Sequence, residues 1–344
     1  MSSANLDSAD LKAVTKGGLI REDVMNRIWD ISKIPLPFTD LVGSATHDNE
    51  YSEWTTDVLA APNVSNAVVD GSDASGNNTA TGARVGNHSQ ISVKVVRVSF
   101  RADASNVIGR AKELAYQLSR RQQELRRDVD AIALQNQASV ADDGASTAGK
   151  VGGLPSWINT NHATGGTAGG FSTSTGLTVA RTPTAARAIT ETMIRTATQA
   201  IYTQGGEASV LMSGPGVIQQ ISSYLFTSSA RVATLMSDIE GSAAKATAMG
   251  SVNVFVTDFG TLKLQANRLQ QTHTDSGSTQ VYDVFVLDPA YLNLSYIGGY
   301  RTEELAKTGL ANNRLMAVDW TLQVLNEKAQ AMIGDINPLS AMTA

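Results

Sequence analysis

The stretch from Tyr51 to Ala141 constrains this chain more than any other. A short strand is expected over Tyr51–Leu59, followed by a run dominated by Gly, Ser, Asn, Asp and Thr. A longer strand expected over Ser89–Arg101 then feeds directly into one uninterrupted helix over Ser105–Ala138. A long hairpin without packing of its own and a single oversized helix cannot both bury enough of themselves inside one small subunit. Subunits that lie on one another accommodate both, so the sequence reads as an assembly protein.

Composition agrees with that reading. The charged fraction is 17%, against about 25% for an ordinary soluble protein, and interface cores are the surfaces depleted of charge. At 344 residues with 42% hydrophobic content, the chain suits a folded protein of two subdomains. A net charge of −5 gives no general attraction to nucleic acid or anionic lipid. With no cysteine there is no disulfide, thiolate metal site or thiol nucleophile. The N-terminus lacks the basic start and apolar run of a signal peptide. No apolar run approaches the ~18 residues of a membrane span. The expectation is a soluble cytoplasmic product, and the sequons at Asn63, Asn77, Asn87 and Asn293 have no secretory context.

Residues 1–43 read as an arm, with an amphipathic helix around Arg21–Ile31 (Val24, Ile28, Ile31) stopped by Pro35 and Pro37. In the second hairpin strand Ile91, Val93 and Val95 alternate with polar residues, and then Val96, Val98 and Phe100 become the apolar set. That change of phase predicts either a β-bulge or a strand passing from one buried face to another. The segment Gly71–Gly82 reads as a flexible tip. The long helix carries Val107, Ala111, Leu114, Leu118, Leu125, Val129 and Ile132 as an apolar stripe. About 34 residues give roughly 50 Å of helix, with Arg120–Glu124 and Arg126–Asp130 spaced to pair on its outer side. A glycine-rich connection follows, with Trp157 as its only large anchor.

Thr182-Pro183 is expected to open a helix with Ala185, Ile189, Met193, Ala197 and Ile201 inward, ended by Gly205-Gly206. A strand at Ser209–Met212 precedes a helix starting at Pro215, with Val217, Ile221 and Leu225 inward. Strands are expected at Val252–Val256, Leu262–Ala266 and Val281–Leu287, which makes 183–299 a mixed unit. Met316, Val318, Trp320, Leu322 and Val324 alternate strictly, a long half-buried strand that pairs back near the hairpin and the helix.

Chemistry finds little anchorage. Gly144–Val151 follows the phosphate-loop pattern as far as Lys150, and then places Val151 where a hydroxyl must hold Mg²⁺. Gly214-Pro215-Gly216 reads as a structural cap more readily than as an anion cradle. The histidines (47, 88, 162, 273) have no metal-ligand spacing, and no nucleophile elbow occurs. Residues 101–143 hold seven Lys/Arg and seven Asp/Glu. Glu124, Asp128 and Asp130 are therefore expected on a solvated, salt-bridged face, not in a carboxylate site. The same balance weakens Arg120-Arg121 and Arg126-Arg127 as a dedicated DNA-binding patch. No catalytic, cofactor or metal residue is expected.

The order of arm, hairpin loop, spine helix, mixed domain and returning strand resembles the major capsid proteins of tailed bacteriophages, the Hong Kong 97 fold. Particular segments are similar to the branch of major head proteins like that of the enterobacterial phage SU-ten. They are Arg21-Glu22-Asp23 with Pro35-Leu36-Pro37-Phe38, Glu53-Trp54-Thr55-Thr56-Asp57 with Leu59-Ala60-Ala61-Pro62, Glu113–Leu118, and Glu124-Leu125-Arg126-Arg127-Asp128. The resemblance covers about residues 20–160 strongly and the remainder by architecture.

It implies an α+β fold with an N-terminal arm (1–43), an extended loop (44–102), a peripheral domain with the spine helix (103–182), an axial domain (183–299) and return strands of the peripheral domain (300–344). It further implies hexamers and pentamers of an icosahedral shell in a virion, assembled in the bacterial cytoplasm around double-stranded DNA held by non-specific contact. Each loop would lie across a neighbour, which makes Tyr51, Trp54 and Arg84 the candidate intersubunit residues. For Trp54 the competing expectation is packing within its own hairpin. Implied partners are a portal protein, a separate scaffolding protein (the arm begins almost at Met1) and a cement protein, with no membrane. No lysine lies between Thr46 and Val93, so the expected shell is non-covalent. Rival readings are a nanocompartment shell of the same fold, a nucleotide-using enzyme built around Lys150, and a tail or other phage structural protein.

Overall fold

A computed structural model describes residues 32, 35–73, 82–227, 253–307 and 309–343. The helix expected over Arg21–Ile31, the loop tip at 74–81 and the side chain of Leu225 lie outside the described residues.

Two sheets carry the fold. The first has four strands in the order β1 (Gly43–Thr46), β13 (Leu292–Glu304), β14 (Ala311–Val324), β4 (Gln90–Ser99). The second has the order β5 (His162–Ala163), β15 (Ala331–Ile336), β12 (Gln280–Leu287), β8 (Val210–Ser213), β10 (Gly260–Ala266), β9 (Val254–Thr257), with β11 (His273–Thr274) also paired to β12. Two hairpins stand apart, β2 (Tyr51–Thr56) with β3 (Ala83–His88), and β6 (Gly170–Ser172) with β7 (Leu177–Val179). The helices are α1 (Phe100–Ala104), α2 (Glu113–Ala133), α3 (Glu191–Thr203) and α4 (Pro215–Thr227).

Strands β8, β12 and β15 of the second sheet are buried on both faces, and the period-two side-chain alternation divides their residues between two cores. Val210, Met212, Phe285, Leu287 and Met332 face the core shared with α2 and the first sheet. Leu211, Val284, Val286, Ala331 and Ile333 face the core closed by α3 and α4. That double burial explains why these strands read as continuous apolar runs. The returning strand β14 is central in its sheet and puts Met316, Val318, Trp320, Leu322 and Val324 into the first core, as the alternation predicts. It pairs with β4 without interruption from Ala311↔Ser99 to Trp320↔Gln90.

Four expectations need correction. The spine helix is α2 alone, 21 residues and about 32 Å long. The chain breaks between α1 and α2, where the Ser105 hydroxyl turns back onto the Arg101 carbonyl at 2.6 Å and Gly109 takes φ +75°. Asp103 then accepts from the Leu114 N–H at 3.1 Å, capping α2 from outside.

The phase change in β4 is not a bulge, because its register is continuous. Val96 and Val98 point inward, while Ile91, Val93 and Val95 stand on the opposite, open face.

The helix after Pro183 starts only at Glu191. Thr190 caps it by accepting from Met193 N–H, and residues before it run extended beside the C-terminal strand through Arg187↔Ile336 and Thr190↔Thr343.

The outer face of α2 pairs differently from the expected spacing. Arg121 meets Glu124 at 2.5 Å and Lys94 meets Asp128 at 2.6 Å. Arg126 lies over the Tyr300 ring, and Asp130 is fully buried.

Strand pairing also shows where the chain crosses between sheets. It returns to the first sheet at Leu292, and β15 then belongs to the second.

Candidate intersubunit surfaces

The β2–β3 hairpin is tied to the body at its root. Asn87, fully buried, donates from Nδ2 to the carbonyls of Gly152 (3.1 Å) and Leu322 (2.8 Å), and its Oδ1 accepts from Gly152 N–H at 2.9 Å. Gln323 Nε2 donates to Ser52 Oγ at 2.8 Å. These bonds satisfy the Asn87 side-chain amide where the hairpin leaves the core, as a buried amide requires.

The three candidate residues take different places. Tyr51 donates to the Gly176 carbonyl at 2.8 Å and lies against His88. Gly86 leaves room for its ring, since a Cβ there would stand 2.7 Å from Tyr51 Cζ. Trp54 packs on Trp157, with ring centroids 5.3 Å apart, and Trp157 stacks on Phe171 at 5.6 Å. Both aromatic side chains thus make contacts within their own chain. Arg84 stands at the surface and pairs with Glu53 across the hairpin.

Among the described residues, two stretches of aliphatic side chains are exposed. On the ribbon that leaves β2, Val58 is 65%, Leu59 95% and Val64 99% exposed, and Val68 and Val69 are open as well. On the sheet face away from α2, Ile91 is 56%, Val93 44% and Val95 52% exposed. The register sets them beside Asp319, Ala317 and Leu315 of β14. Single exposed aliphatics are ordinary, but aligned rows of them mark contact surfaces. The sequence reading missed the second surface, although the two adjacent valines Val95 and Val96 were its signal: both faces of β4 are apolar.

The polar clusters are structural. In the phosphate-loop lookalike, the N–H groups of Ala145, Ser146 and Thr147 all point at Asp143 Oδ1 at 2.8 Å. These bonds hold that carboxyl well below its usual range. The chain's own anion therefore fills the nest, and exposed Lys150 pairs through its backbone with Val140. At Gly214 the missing side chain makes room for the Tyr282 ring, since a Cβ would stand 2.4 Å from it.

His273, Asp283 and Asp335 present atoms spaced as a cation would need. A guanidinium already occupies the centre. Arg181 Nη2 lies 2.5 Å from Asp283, 3.1 Å from Asp335 and 2.7 Å from His273 Nε2. Among the described residues, no helix is long and apolar enough to cross a membrane.

The comparisons with known proteins match this geometry. The model of the SU10 major capsid protein family fits residues 6–337. The chain belongs to that family. The major capsid protein of Escherichia phage Phieco32 is 31% identical over 219 residues, which are 55% of this chain and 62% of that relative. Among solved structures, the capsid of a native GTA particle superposes with TM-score 0.59 at 10% identity, covering 96% of this chain and 99% of that one. A chain from Mycobacterium phage Adephagia gives 0.57 at 10% identity, covering 96% and 98%. The SrpI encapsulin complex of Synechococcus elongatus PCC 7942 gives 0.54 at 10% identity, covering 99% of both. At these identities the superpositions establish the fold, which is that of Hong Kong 97-type capsid proteins.

Proposed function

We propose that the chain is the major head subunit of a tailed phage, closing with its copies into hexamers and pentamers of an icosahedral shell around double-stranded DNA. The observation that supports this best is the pair of uncovered aliphatic rows on a chain of this family. The ribbon from Val58 to Val69 of one copy lies across the Ile91–Val93–Val95 face of a neighbour, with Arg84 at the edge of the contact. Tyr51 and Trp54 act in the same interface indirectly, by fixing the hairpin on its own body. The second sheet with α3 and α4 forms the axial domain, and the first sheet with the spine helix forms the peripheral domain. Scaffolding, portal and cement proteins are the partners this reading implies, and host cytoplasm is the place of assembly. No residue is assigned a catalytic role.

Burying three half-exposed aliphatic side chains contributes about 3 kcal/mol per contact, roughly a hundredfold in association constant. Many such contacts, reinforced by effective concentration once neighbours are held, stabilise a closed particle. The triple substitution Ile91→Ser, Val93→Ser, Val95→Ser should therefore leave a folded subunit and abolish shells, read by electron microscopy and sedimentation. Shells of normal size from this variant would refute the contact; a wild type that stays monomeric at high concentration would refute the function. Boiling wild-type particles in detergent should release only monomer, because no lysine lies between Thr46 and Val93 to form a covalent bond. A nanocompartment of the same fold is the second reading, suggested by the encapsulin superposition. Particles from the native source separate the two: packaged DNA supports the phage head, a packaged enzyme the compartment.

A further inference from the structure

The root of the hairpin holds a group of titratable side chains that assembly by itself does not explain. His47, just after β1, bridges two serines, with Nδ1 2.9 Å from Ser295 Oγ on β13 and Nε2 2.7 Å from Ser89 Oγ between β3 and β4. Both serines are buried. His88, at the end of β3, packs against Tyr51 with the rings tilted and their centroids 4.6 Å apart. Its Nδ1 is buried without a hydrogen-bond partner among the described residues and stands 3.7 Å from Glu50 Oε1. Asp319 of β14 has a buried Oδ1 without a hydrogen-bond partner among the described residues.

We propose that this root is a proton-operated latch, in which neutral His47 ties the hairpin to the four-stranded sheet and its protonation releases the Ser89–His47–Ser295 bridge. A neutral imidazole has one donor and one acceptor, so one serine accepts from it and the other donates to it. An imidazolium has two donors. The serine that had donated must then turn its hydroxyl away and find another acceptor in a buried site, which costs free energy.

Burial lowers the pKa of His47, opposed by Asp319 and Asp48. Burial likewise lowers that of His88, opposed by Glu50. Asp319 is itself pushed up by burial, with His47 and Arg301 pulling it down and Glu50 adding to the rise. The remaining ionisable group packed here, the Tyr51 phenol, is raised by burial and stays neutral. An imidazole with a depressed folded pKa contributes stability above about pH 6.5, lost as the pH falls through its folded value. The latch therefore holds near neutrality and loosens on acidification. Once charged, His88 has Glu50 in the exposed turn as its partner, which draws it outward.

The test is amide hydrogen exchange on the unassembled full-length chain between pH 7.5 and 5, with rates corrected for intrinsic exchange. It is independent of whether the chain builds a shell. Residues 51–56 and 83–88 should lose protection as the pH falls below about 6.5, by up to about tenfold per pH unit, levelling off once the folded imidazole is itself protonated, while β13 and β14 keep theirs. His47→Gln, which retains one donor and one acceptor but does not titrate, should give a flat profile. Wild-type hairpin protection unchanged across this range would overturn the proposal even if that variant fails to fold. So would a His47→Gln profile as steep as wild type.

Discussion

Arg181→Met should cost the fold about 3–5 kcal/mol, the range for removing one partner of a buried ion pair. Arg181 and Asp335 have fully buried side chains and Asp283 is nearly so. The guanidinium contacts both carboxylates, and Asp335 also accepts from Thr184 N–H at 3.0 Å and its hydroxyl at 2.9 Å. Burial works against the Asp335 carboxylate, yet hydrogen bonds from His273, Arg181 and Thr184 hold it well below the usual range. Burial pushes Asp283 up, against the pull of Arg181. Asp335 sits at φ +63°, a left-handed conformation uncommon for a non-glycine residue, held by these bonds.

The sign of the pH dependence separates this mechanism from simple loss of volume. In the wild type the depressed Asp335 carboxyl contributes stability above about pH 4, lost as the pH falls through its folded value. In Arg181→Met the two carboxylates lose the guanidinium that stands between them, and both are raised relative to the wild type. Protonation then relieves the variant, so part of its deficit should return as the pH is lowered from 7 to 5. Denaturant unfolding at the two pH values measures this, and a deficit that stays constant or grows on acidification would contradict it. Arg181→Lys should rescue little, because a point charge cannot reproduce the fork that reaches Asp283, Asp335 and His273 together.

Much of the architecture was legible because it rests on periodicity. The alternation from Met316 to Val324 and the apolar turns of Leu125 and Val129 each reported one buried face. The helix boundaries were harder, since they depend on local turns. Ser105 and Gly109 end α1 and space it from α2 although the apolar stripe from Val107 onward continues across the break. Residues 184–190 carry a helical apolar pattern, yet pairing with the strand around Asp335 and Ile336 keeps them extended, a tertiary override of local preference. The second apolar face of β4 was visible as a phase change, but only the continuous register with β14 distinguishes a two-faced strand from a bulge. The buried charges left no signal at all. Asp130 and Arg181 find their partners 91 to 154 residues away along the chain, and helical spacing placed Asp130 on the solvated side. Trp54 was ambiguous for a related reason. An aromatic residue on a hairpin serves equally to grip a neighbour or its own body, and in this chain Trp54 packs on Trp157 of the glycine-rich connection.

Asp130→Ala should loosen the point where the N-terminal segment enters the body, at a cost of about 3 kcal/mol or more. Asp130 Oδ2 accepts from the Phe38 and Thr39 N–H groups at 3.1 and 2.9 Å and from the Thr39 hydroxyl at 3.2 Å, while Oδ1 accepts from Asn267 Nδ2 at 3.0 Å. One carboxylate thus joins the arm root, the spine helix and the end of β10. Gln265 adds a bond to the Pro37 carbonyl at 3.2 Å. Burial raises the Asp130 carboxyl, opposed by these hydrogen bonds. Acidification therefore does not open the clamp by itself, since the protonated form is the one that burial favours.

Asp130→Asn should do nearly as badly as alanine: its NH₂ must face either the arm donors or Asn267 Nδ2. Asn267 cannot simply flip, because its Oδ1 accepts from Leu269 N–H at 2.7 Å. Pairing Asp130→Asn with Asn267→Asp restores a donor for every acceptor. The double variant should therefore recover at least about 1 kcal/mol over the sum of the singles, a coupling typical of residues sharing one network. Unfolding of the four proteins measures the cycle, and proteolysis near residues 35–42 reports the arm root directly. A coupling near zero would mean that packing of Phe38, which is fully buried, holds the arm and the carboxylate merely fills space.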